Sequence, residues 1–108
     1  MSPANSMRGE TTLVIDGHTH VLRPTFSALV AAEDELGPLF ALVERASAGQ
    51  LRLNELAGLF WHCLASPHAL NREDVGEAVA EAGLAAAAVP LRALLVQILQ
   101  GRPSTGSG

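Results

Sequence analysis

The chain has 108 residues and a mass of 11.2 kDa, a length that fits one compact domain and excludes two full ones. Hydrophobic residues make up 48% against 17% charged, with a mean hydropathy of +0.25, which excludes disorder along the whole chain. The formal net charge of −4 disfavours binding to a nucleic-acid backbone.

The apolar residues are chiefly Ala and Leu, with three Phe, one Trp and no Tyr. Ala and Leu are strong helix formers, whereas the β-branched residues that strands favour are concentrated in one short stretch, so a mainly α domain is predicted. Cys63 is the single cysteine, so no intrachain disulfide forms. Residues 1–8 lack the apolar core of a signal peptide, and the longest apolar stretch is broken by Pro90, Arg92 and Gln97. The reading is a soluble, cytoplasmic protein: a disordered N-terminus over 1–8, one domain over 9–100 and a disordered tail of linker composition over 101–108.

The β-formers lie between Glu10 and Arg23, split by Asp16-Gly17. Asp-Gly supplies the two positive-φ positions of a type I′ turn, so a hairpin is predicted with Ile15 opposite His18, Leu13 opposite His20, and Val14 and Val21 on the other face. Such a hairpin is marginal alone and must pack on helices. Thr25 caps the first predicted helix, whose apolar positions are Phe26, Leu29, Val30 and Leu36, with Gly37 as a left-handed stop. Pro38 opens the second at its first turn, carried by Leu39, Phe40, Leu42, Val43 and Ala46 and closed by Gly49.

The third helix, Leu53 to Ala65, places Leu53, Leu56, Leu59, Phe60, Cys63 and Leu64 on a broad face and stops before Ser66-Pro67. Asn71 caps the fourth, with Asp74 three residues on and a hydrophobic staple from Leu70 to Val75; it runs to Ala82 and ends at Gly83. The last, Leu84 to Gln100, contains Pro90, which predicts a kink or two shorter helices. The predicted architecture is an N-terminal β-hairpin packed on a bundle of four to five short helices.

Ligand-like chemistry is confined to Asp16, His18 and His20. Asp16 is needed for the turn, alternating polar residues are ordinary on a surface strand, and a structural zinc site wants four ligands, so no metal is predicted. Neither His62 nor His68 makes Cys63 a nucleophile: adjacent residues on a helix point about 100° apart, and Cys63 falls on the apolar face as a structural thiol. The carboxylates Glu33-Asp34-Glu35 and Glu73, Asp74, Glu77, Glu81 read as solvated faces and helix-start charges. No phosphate loop, Ser-His-Asp set or CxxC is present, so no catalytic residue and no cofactor is predicted, and the chain is not an enzyme.

Phe60 and Trp61 are adjacent and cannot share one helix face. With Phe60 in the core, Trp61 moves to the edge, as a binding anchor or a lid on the core. The apolar residues after Gly83 exceed what the bundle needs to close, which marks a surface kept for another protein. The contact candidates are Trp61, Leu64, Leu91, Leu94, Leu95 and Ile98.

The order of features is itself informative. Arg8-Gly9-Glu10 before an apolar strand, Asp16-Gly17, Leu22-Arg23-Pro24-Thr25-Phe26-Ser27-Ala28-Leu29, Glu33-Asp34-Glu35-Leu36-Gly37, Gly49 to Leu56, Leu59-Phe60-Trp61, Asp74-Val75-Gly76 and Glu81-Ala82-Gly83-Leu84 follow one another. This ordered set, over about residues 8–100, resembles the small tail assembly chaperone family of gene transfer agents and related tailed phages; Pro90 and the 101–108 tail depart from the family pattern. The resemblance implies a non-enzymatic chaperone that binds the tape measure protein, with the tail tube protein as a second candidate partner, while a tail assembles. The alternative is a minor structural component of the tail or head-tail joint that stays in the particle. The apolar share leaves a homo-oligomer and a monomer with a well-filled core both open.

Overall fold

The computed structural model describes residues 11–65 and 70–100. The loose termini expected over 1–8 and 101–108, the helix stop at Ser66-Pro67 and His68 lie outside the described residues. Within them the domain is mainly α, with an N-terminal hairpin: β1 (Thr11–Ile15), β2 (His18–Leu22), α1 (Phe26–Leu36), α2 (Leu39–Ser47), α3 (Leu53–Cys63), α4 (Arg72–Ala82) and α5 (Leu84–Gln100).

The Asp16-Gly17 turn takes φ of 52° and 79°, the two positive values a type I′ turn requires. Leu13 pairs with His20 and Ile15 with His18, the predicted register. Thr11, Leu13, Ile15 and Leu22 are buried, while Val14 on the opposite face is exposed. The hairpin thus contributes one apolar face to the helices.

Thr25 Oγ1 accepts from Ala28 N at 3.2 Å and starts α1. Gly37, with φ of 100°, ends it. Pro38 stands one residue before α2 rather than inside its first turn, and Glu33 of α1 reaches across to accept from Leu39 N at 3.0 Å. That carboxylate satisfies one of the N–H groups a helix start leaves open.

Helix α3 is the centre of the domain. Leu56, Ala57, Gly58, Leu59, Phe60 and Cys63 are buried, and both α1 and α4 pack on it. Gly58 permits the approach of α1: a Cβ there would stand 3.3 Å from Leu36 Cδ2. The helix ends at Cys63, two residues before the predicted Ala65. Leu64 turns extended and bridges Leu22, Arg23 N donates to Cys63 O at 2.6 Å, and Ala65 N donates to Val21 O at 2.9 Å. The edge of β2 therefore captures this segment, a tertiary pairing that local helix propensity does not contain.

Helix α4 begins as predicted. Asn71 Oδ1 accepts from Asp74 N at 2.8 Å and Asp74 Oδ2 accepts from Asn71 N at 3.2 Å, a reciprocal cap. At Gly83, with φ of 94°, the chain turns and α5 leaves at 119° to α4. Of the two outcomes expected at Pro90, two shorter helices are not formed: one helix of 17 residues runs through with Pro90 inside it. No single helix among the described residues is long and apolar enough to cross a membrane.

Four positions expected on apolar helix faces point outward: Phe26 is 85% exposed, Phe40 79%, and Leu53 and Val30 are also exposed. The reason is geometric. Leu39, Leu42, Val43 and Ala46 already form an i, i+3, i+4, i+7 stripe with Leu42 buried, so Phe40 falls about 100° away from it. On α1 the stripe is Leu29, Ala32 and Leu36, which places Phe26 and Val30 beside it.

Candidate interaction surface

The polar groups of the domain are chiefly used to hold elements together. Glu35 on α1 receives Arg72 of α4 through Nη1 at 2.6 Å and Nη2 at 2.5 Å, and meets His62 Nε2 of α3 at 2.7 Å. Arg72, and then His62, hold the Glu35 carboxyl at a pKa of about 2. Arg45 of α2 pairs with Glu55 at the start of α3. Gln97 is buried on α5, and its Nε2 donates to Thr11 Oγ1 at 3.3 Å, tying α5 to β1.

The contact candidates separate on this frame. Leu64 and Leu94 are core residues, 5% and 0% exposed, and as such are corrected: Leu64 closes against Leu22, and Leu94 lies on the one stripe of α5 that faces inward. Trp61 is partly buried and held on three sides. Its Nε1 donates to Leu70 O at 3.0 Å, the Arg72 guanidinium lies 5.0 Å from its ring, and His62 meets it edge-on. Leu91, Leu95 and Ile98 are partly buried against the core.

Cys63 is fully buried, and burial pushes its thiol up to about 12, so it stays protonated and unreactive. His62 is occupied by Glu35. His18 is exposed at the hairpin tip, and among the described residues no group of three or more His, Cys, Asp or Glu side chains is placed to hold a metal. Glu73, Glu77 and Glu81 are solvated on α4.

What stands free is apolar. A groove of about 250 Å³ runs between the hairpin and the α4–α5 corner, lined by Thr12, Val14, Ala82, Ala86, Val89 and Pro90 among others. A second groove, about 210 Å³, lies between α1, α2 and the end of α5, lined by Leu29, Glu33, Leu39, Phe40, Val43, Ile98 and Leu99. Val14, Val89, Phe40 and Leu99 are each more than half exposed. Exposed apolar surface of this kind, with Phe26 also facing outward, suits contact with another protein. Of the grooves' exposed residues, none was among the predicted contacts; only Ile98 of that set lines one. The signal for Phe40 and Phe26 was present in the helical spacing, as the apolar residues that fall outside the completed stripe.

A family model described as phage tail tube protein, GTA-gp10, matches residues 8–101. No curated protein and no solved structure matches the chain.

Proposed function

The chain belongs to this phage tail tube protein family, GTA-gp10, and from that premise we propose that it is a non-enzymatic structural component of a phage-like tail, retained in the finished particle. The observation that carries this reading is the family match, which spans nearly the whole domain. It also corrects the assembly-chaperone role that the resemblance implied: the matched family is described as a tube protein, and a tube protein is a part of the structure being built.

The physical chemistry suits a building part. Charged side chains that link helices pair with one another, as in the Glu35–Arg72–His62 set, while exposed apolar grooves remain on two sides. A small domain gains little by exposing Phe26, Phe40 and Val89 unless another protein covers them. The partners are therefore other tail proteins.

Quantitative mass spectrometry of purified particles tests this. The chain is expected at a fixed stoichiometry relative to the other tail proteins, and its absence from particles that are otherwise complete sinks the proposal. Cross-linking within the same particles reads which of the tape measure protein, a tube subunit or a second copy it touches.

A further inference from the structure

On the α1–α2 side, apolar residues and carboxylates follow a common arrangement. Phe26 and Val30 form a ridge that Asp34 continues one turn on; Leu29 is followed by Glu33, and Phe40 by Glu44. Phe26 and Phe40 are 85% and 79% exposed, and Asp34, Glu33 and Glu44 are exposed as well. Each apolar ridge thus ends in an outward carboxylate.

Among the described residues, α1 and α2 themselves leave no unbonded cation to balance them. Helix α1 carries no cation, and the cation of α2, Arg45, is bonded to Glu55. Arg92 of α5 lines a different pocket, with Ser47 and Leu91, and Arg23 lines another, with Ser27 and His62.

We propose that the groove between α1, α2 and the end of α5 docks an amphipathic helix from a different tail protein, with an apolar stripe flanked by Lys or Arg. This rests on the structural-tail reading. The apolar stripe seats against Phe40, Val43 and Leu99, while the basic flanks meet Glu33, Asp34 and Glu44. Helix α1, with eleven residues, is about 16 Å long, enough to face three turns of a partner helix. A second copy is disfavoured as the occupant because it brings the same net charge of −4, with eleven acidic residues against seven basic.

The test uses the full chain and two labelled synthetic helices of about 18 residues, one patterned with Leu and Lys, the other with Leu and Glu, in fluorescence anisotropy titrations. The Leu/Lys helix binds and the Leu/Glu helix does not. Phe40→Ala weakens binding about tenfold or more, as truncating an interface anchor does, while Val89→Ala on the other groove leaves it unchanged. Circular dichroism confirms that both variants fold, as expected of substitutions at exposed positions. Equal binding of the two helices, or equal losses in the two variants, overturns the proposal. So does concentration-dependent self-association in light scattering that Phe40→Ala abolishes, which would make a second copy the occupant. If the chain is missing from purified particles while Phe40-dependent binding persists, the structural-tail reading falls and the docking surface stands.

Discussion

Helices α3 and α5 are both built largely from apolar residues, yet they end in opposite situations. Six of the eleven residues of α3 are buried, enclosed by α1, α4 and the edge of β2. In α5, only Ala87, Leu94 and Gln97 of seventeen residues are buried, and Leu84, Val89, Val96 and Leu99 face outward. Apolar content alone therefore does not make a core helix. What counts is how many neighbours the chain topology brings around it, and among the described residues α5, leaving α4 at 119°, gains fewer.

The sharpest way to break this contrast is to truncate matched side chains on the two helices. Phe60→Ala empties the centre of α3, where Phe60 is fully buried, and is expected to lower stability by about 3–5 kcal/mol in urea unfolding. Asn71→Ala removes one half of the reciprocal cap of α4 and is expected to cost about 1 kcal/mol in the same measurement. Val89→Ser on the outer face of α5 is expected to change stability by no more than about 0.5 kcal/mol. A loss at Val89 approaching that at Phe60 would show that α5 is enclosed like α3, and the comparison would fail.

A pH series separates the polar ties from the apolar core. Glu35 has a pKa near 2 in the folded chain, below its usual 4.5, so its pairing with Arg72 and His62 contributes above about pH 5 and is lost as pH falls from 4.5 towards 2. Because the group is partly exposed, the increment is small, below about 1 kcal/mol. Glu35→Gln is expected to be slightly less stable than the parent at pH 7, with the two stabilities converging as pH falls through that window. A difference unchanged down to pH 2.5 would remove Glu35 from the set of helix ties.

Much of the fold was legible because its signals are local. The Asp16-Gly17 turn sets the hairpin register through backbone geometry alone, and Thr25, Asn71 and Asp74 cap helices within four residues of themselves. Phe60 and Cys63 in the core followed from the width of the apolar face of α3. The contact residues were less legible. Leu64 belongs both to the apolar face of the third helix and to the contact candidates, and only its pairing with Leu22, far away in sequence, places it in the core. Phe26 and Phe40 are among the apolar positions of their helices, and only the packing of those helices turns them outward.

By itself, then, the sequence determined the element types, the turn, the caps and the apolar excess after Gly83, since each depends on residues a few positions apart. Only the tertiary structure decided that α3 stops at Cys63, that Trp61 is clasped by Arg72 and Leu70, and that the apolar excess comes to lie partly on the outer face of α5. These outcomes depend on which distant elements meet. Burial is a property of those meetings and not of a residue's own hydrophobicity.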